Sequence, residues 1–234
     1  MATPTAEFYS SWNANRIANL QILPPYEPKD NKSVWVRGTI RHRSLEGVLR
    51  ELVVTAPKMR VCYSGCRWNR IVFAMDGAAN AEVYAFEKWV RGLADHVKST
   101  IFNDPGKYKQ GAINASRFQF DEDVIKPSSD CTIYPDELRC RLSTNATKRI
   151  VDSEDGIVDA DLFLYSEDGN HSAIDPSEIL AGSYIVPVIK FSYNRNIERF
   201  GLVMTVLKGM VFPPENNTYR IENKEWQIDY PMEI

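Results

Sequence analysis

Short apolar runs with strand character dominate the chain. Val34-Trp-Val-Arg-Gly-Thr-Ile40, Val48 to Thr55 and Ile71 to Met75 read as strands, and so does Tyr134 to Leu142, where apolar and polar residues alternate. Arg117 to Phe120, Val124 to Lys126 and Leu162 to Tyr165 add shorter pieces. Tyr184 to Phe191 and Phe200 to Phe212 carry the strongest β signal, and Asn194-Arg-Asn196 between them reads as a hairpin turn. Pro187 lacks an amide donor, which places its strand toward a sheet edge, and Gly38 predicts a bulge or bend. A single long helix is predicted over Asn80 to Ile101. There Val83, Phe86, Val90, Leu93, Val97 and Ile101 recur at steps of three and four, and Asn80 is a suitable N-cap. Trp89 sits at the edge of that stripe, and Gly92 suggests close approach to a sheet. Many short strands around one helix predict a mostly β or α+β domain of barrel type.

The flanks differ from this body. Residues 1–33 are polar and broken by Pro24, Pro25 and Pro28, and form an arm and linker. Phe8, Tyr9 and Trp12 pack that arm either onto the body or onto a second subunit. Residues 34–212 form the domain. Pro213-Pro214 ends it, and 213–234 is an acidic tail holding Trp226 and Tyr230.

At 234 residues the chain can bury a real core without staples. The formal net charge of −3 excludes a wholly basic coat protein, but the charge is segregated. Lys32–Arg70 holds nine cations against Glu46 and Glu51, whereas Val151–Glu178 has no Lys or Arg at all. Trp35, Tyr63 and Trp68 are interleaved with those cations, and alternation puts Trp35 on the opposite face from Val34 and Val36. Cations that follow phosphates and rings that accept bases are what a nucleic-acid single strand needs. On this reading Arg37, Arg41, Arg43, Arg60, Arg67 and Arg70 neutralise phosphates, while Trp35, Tyr63 and Trp68 stack bases. Lys107, Tyr108 and Lys109 extend the groove. The competing reading is an ordinary sheet with a solvated, Arg-rich face and core tryptophans.

Other chemistry finds little support. Cys62 and Cys66 have near-ligand spacing, but Cys131 and Cys140 do not complete a zinc set, so no metal and no cofactor is expected. Asp152-Ser-Glu-Asp-Gly-Ile157 departs from a calcium loop at its sixth position. Phosphate-binding glycine loops and a nucleophile elbow are missing, so no enzyme is expected. No leader or membrane span is recognisable, and the cysteines read as reduced thiols of an intracellular protein.

Four blocks carry a family resemblance. They are Thr55-Ala-Pro-Lys-Met-Arg-Val61; the helix with Phe86, Leu93 and Asp95; Tyr134-Pro135 with its strand; and Gly182 through Ile189 to Phe200-Gly201, Val206 and Val211. Together they resemble the single-stranded DNA-binding proteins of large nucleocytoplasmic DNA viruses, themselves similar to the OB-fold replication protein of short-tailed phages. The resemblance implies an OB-like curved barrel and sequence-independent binding of single-stranded DNA at a viral replication site. It also implies a homodimer, and an acidic tail that recruits replication proteins through Glu225, Trp226, Asp229, Tyr230 and Glu233. The phage relatives end on an aromatic residue, whereas this chain ends on Ile234. The alternative is a viral structural or assembly protein without nucleic-acid binding.

Overall fold

A computed structural model describes residues 6–25, 36–44, 47–63, 69–77, 79–108, 119–121, 124–128, 135–145, 157–158, 161–167, 169, 171–196 and 199–214. The chain opens with β1 (Glu7–Phe8), a 3-10 turn, α1 (Ala14–Ala18) and β2 (Gln21–Leu23). Next come β3 (Val36–Arg43), β4 (Leu49–Glu51), β5 (Val53–Thr55), β6 (Met59–Arg60) and β7 (Arg70–Met75). The helices α2 (Ala81–Asn103) and α3 (Pro105–Tyr108) follow, then β8 (Gln119–Phe120), β9 (Ile125–Lys126) and β10 (Asp136–Leu142). A small pair, β11 (Thr144–Asn145) and β12 (Ile157–Val158), precedes β13 (Asp161–Leu164) and β14 (Ser172–Ala173). The chain then builds its two longest strands, β15 (Tyr184–Arg195) and β16 (Arg199–Phe212).

The β15–β16 hairpin is the spine. Along its outer edge β15 pairs in turn with β3, β5 and β6, all antiparallel. The far edge of β16 pairs in parallel with β8, β10 and β13. β7 lies antiparallel to β10, and a bridge from Val61 to Phe73 brings β7 back to the end of β6. Three backbone bonds secure this seam: Val61 N–H to Ser183 O at 2.8 Å, Gly182 N–H to Val61 O at 2.9 Å, and Cys62 N–H to Val72 O at 2.9 Å. The circuit β6–β15–β16–β10–β7 therefore closes into an OB-like barrel, which removes the long exposed edges an open sheet would leave.

The predicted helix is α2, with the Asn80 side chain accepting from the N–H groups of Glu82 and Val83. Its stripe is buried, and Trp89 joins it, packing edge-on against Phe191 of β15 at 5.2 Å between centroids. Each such burial contributes about 1.5–3 kcal/mol. Gly92 does not serve close approach, because a Cβ built there meets nothing within 4 Å. Glycine costs a helix interior about 1 kcal/mol relative to alanine. Gly92→Ala is therefore expected to stabilise the fold by about 0.5–1 kcal/mol, read as a higher urea midpoint at unchanged slope.

Two strand expectations are corrected. β3 runs through Gly38 in unbroken register with β15, so no bulge occurs there. The irregularity falls between Val188 and Ile189, where β16 carries Leu207 as an extra residue. Pro187 lies in a central strand, not an edge strand. Its carbonyl accepts from Ala56 N–H, and the reciprocal bond to Ala56 O is the one its ring nitrogen cannot make, just beyond the end of β5.

Of the two dockings open to the arm, the structure shows the one onto the body. β1 pairs with β5 and β2 with β3, while Trp12, Leu20 and Ile22 are buried in the common core. The Tyr9 hydroxyl donates to Glu82 O at 2.9 Å, and its ring meets Phe86 at 5.1 Å. The proposed boundary at 33/34 and the tail beyond Pro214 lie outside the described residues. No described helix is long and apolar enough to cross a membrane.

Candidate nucleic-acid interface

Alternation in β3 decides where its cations go. Gly38, Ile40 and His42 are buried, so Arg37, Thr39, Arg41 and Arg43 take the outer face. Register carries that face across the sheet. Arg37 is opposite Asn194 of β15, and Asn194 is opposite Gly201 of β16. Arg141 of β10 lies beside Thr205 of β16 and opposite Arg70 of β7. Buried Leu138, Cys140 and Leu142 alternate with Glu137, Arg139 and Arg141, which puts those three on the outer face as well.

Arg37, Arg70 and Arg141 converge although they come from strands far apart in sequence. Burial, with Arg37 and Arg70 beside it, pulls Arg141 below the usual arginine range. Among the described residues no carboxylate pairs with any of the three. β10 and β16 splay apart here, leaving an open cleft of about 450 Å³ lined by Arg70, Arg139, Arg141, Asn194, Arg199 and Asp121. Elsewhere on the face, ion pairs reduce the charge: Lys190 to Glu51 at 2.8 Å, and Arg139 to Glu137 at 2.7 Å.

The remaining predicted residues divide. Arg43 donates to the Gly47 carbonyl at 2.8 Å and is exposed. Arg60 sits 3.5 Å from Asp76, which offsets its charge. Tyr63 is 57% exposed, and its hydroxyl donates to Glu137, whose hydrogen bond holds the phenol above its usual pKa. That places Tyr63 beside the β10 row. Tyr108 is a correction. Its ring is buried and its hydroxyl donates to Ile22 O at 2.9 Å, so it anchors β2 and offers no stacking face. Lys107 is exposed, with its ammonium 5.5 Å from that ring. Trp35, Arg67, Trp68, Lys109 and the tail residues Glu225, Trp226, Asp229, Tyr230 and Glu233 lie outside the described residues.

Sequence reasoning missed Arg139, Arg141, Lys190, Asn194 and Arg199. A signal for two of them existed: Glu137, Arg139 and Arg141 fall at every second position of a predicted strand, hence on one face. What the alternation cannot show is which other strand faces that row.

The described residues include no cluster of His, Cys, Asp and Glu able to hold a metal. Cys62 and Cys140 are free thiols. Burial pushes Cys62 up to about 11 and Cys140 further, so neither is a ready thiolate.

The chain is similar to solved structures from one phage. The single-stranded DNA-binding protein of bacteriophage Enc34, in a C-terminal truncation, aligns at a TM-score of 0.38 and 12% identity. That match covers 85% of this chain and 98% of the other. The structure titled as that protein in complex with ssDNA aligns at a TM-score of 0.38 and 14% identity, covering 84% and 97%. A further structure of the phage protein gives a TM-score of 0.37 at 12% identity, covering 81% and 88%. No family model and no curated protein matches the sequence.

Proposed function

We propose that this chain binds single-stranded DNA, without sequence preference, on the outer face formed by β3, β15, β16, β10 and β7. The observation that carries the reading is the convergence of Arg37, Arg70 and Arg141 with no carboxylate partner among the described residues. Three like charges held together by the fold, at a cost in repulsion, suit a polyanion that enters between them. Neutral polar groups from Thr39, Asn194 and Thr205 share the face. Arg41, Arg43 and Arg199 extend the path, and Tyr63 offers a ring at its margin. Trp35, Arg67, Trp68 and Lys109 belong to the same proposed surface by sequence. The protein acts by binding rather than catalysis, in replication, recombination or repair.

The acidic tail supplies the regulatory half of the proposal. Its carboxylates compete with phosphate for the cations, and Trp226 and Tyr230 anchor it in a partner protein or in a second copy of this chain.

Anisotropy of a labelled oligonucleotide tests the reading. Binding is expected at low salt, weakening steeply as salt rises, with a duplex of equal length bound less well. No affinity for the single strand at low salt would overturn it. Deleting residues 215–234 is expected to tighten binding several-fold, because an internal anion is lost. Unchanged affinity would refute tail competition while leaving the binding face in place.

A further inference from the structure

The far end of the same outer face is aromatic. Along β15, Tyr184, Val186, Val188, Lys190 and Asn194 lie on the outer side, with Ser192 on the same side but buried, so Tyr184 shares a surface with Arg37. At a strand rise of about 3.3 Å per residue, roughly 33 Å separates Tyr184 from Asn194. Phe212 lies opposite Tyr184 across the hairpin. The Phe212 ring stacks on Tyr165 at 4.7 Å and 29° between planes, and Tyr165 stacks on His171 at 5.6 Å and 28°. The Lys58 ammonium closes the other end, 4.2 Å from the Phe212 centroid and 5.2 Å from that of Tyr184. This is an ordered column, Lys58–Phe212–Tyr165–His171, with an exposed imidazole at its open end. The ring is oriented by Ser166 N–H, which donates to His171 Nδ1 at 3.2 Å.

The placement argues against simple packing. Tyr165 is 41% exposed and Phe163 38%, although both are apolar enough to have been buried. Two cations lie at its edges: Lys58 on one side and exposed Lys208, opposite Val188 and in register with Asp161, on the other, while exposed Glu167 follows Tyr165 in the chain. A flat surface with flanking ammonium groups, continuous with an arginine cluster, matches a nucleotide: a ring to stack and a phosphate to pair. An apolar face of a second copy would gain nothing from those charges.

We infer that the open end of this column, His171 backed by Tyr165, is a base-stacking subsite that receives a nucleobase of the strand held by Arg37, Arg70 and Arg141. The inference rests on the proposed single-strand binding and names where a base goes once the phosphates are held. Stacking is indifferent to base identity, which fits binding without sequence preference.

The test uses the full chain and an oligothymidylate long enough to span both ends of the face. His171→Ala and Tyr165→Ala are each expected to weaken binding about tenfold. The salt slope of Tyr165→Ala should match the parent, because no phosphate contact is lost. His171→Trp should retain affinity and show fluorescence quenching by the oligonucleotide beyond that of the parent. Both positions are exposed or partly so, and circular dichroism confirms folding of each variant. Parental affinity in both alanine variants, with no added quenching in His171→Trp, would overturn the subsite while the arginine face stands. A change in molecular mass by light scattering, with DNA affinity intact, would overturn it in favour of self-association. Failure of the parent itself to bind would remove the underlying reading instead.

Discussion

Replacing Arg37, Arg70 and Arg141 together with glutamine is expected to cut the salt sensitivity of single-strand binding markedly. Each phosphate contact on a single strand contributes about 0.7 to the slope of log affinity against log salt. Losing three removes about two from that slope. Between 50 and 200 mM salt, the parent's affinity should therefore fall about 20-fold more than the variant's. At the lowest salt the variant should bind on the order of a hundredfold more weakly. The fold should survive, because the side chains lie on the outer face and their mutual repulsion is relieved. Arg60→Gln is the internal control. Its charge is already engaged by Asp76, so the slope should move little. Equal slopes for parent and triple variant would show that the phosphates are held elsewhere.

Gly38→Ala is expected to cost about 2–4 kcal/mol of stability, an unusually large effect for one methyl group. The position is opposite Tyr193, whose ring lies directly over the Gly38 Cα, and a Cβ would overlap its ring carbons and hydroxyl. The ring cannot step aside cheaply. It is buried, and its hydroxyl donates to Leu23 O at 2.6 Å, which ties β15 to β2. Overpacking costs about 1–3 kcal/mol, and loss of that hydrogen bond about 0.5–1.5 kcal/mol more. A double-mutant cycle by urea denaturation checks the cause. In a Tyr193→Ala background the alanine at 38 should be nearly neutral. The same cost in both backgrounds would refute the steric account.

These residues also show what a linear reading can reach. Alternation in β3 placed Arg37, Arg41 and Arg43 together, because neighbours two apart share a face whatever the fold. The 3.6-residue period found α2 and its Asn80 cap for the same local reason. Arg141 was missed because its partners are Arg37 and Arg70, over 70 positions away, and only pairing across β7, β10, β16, β15 and β3 joins them. Tyr108 was misassigned because a tyrosine beside lysines looks like a surface ring until β2 is seen to accept its hydroxyl proton. Pro187 misled in the same manner. An edge preference holds for a proline whose missing donor would break a continuous ladder, and here the loss is confined to the single pair with Ala56, just past the end of β5. The column at Tyr165, Phe212 and His171 was invisible because Phe212 ends β16 whereas Tyr165 and His171 lie in the connection between β13 and β14.

The long hairpin has a consequence for biosynthesis. β3, β5 and β6 find their main partner only in residues 184–195, far along the chain. On the ribosome, the N-terminal strands therefore emerge well before the strand that mates with them. Such distant pairing makes folding slow and leaves sticky edges bare in the meantime. The barrel is thus completed only once residues 184–212 have emerged, and a chain stalled short of residue 184 would be a natural client for chaperones.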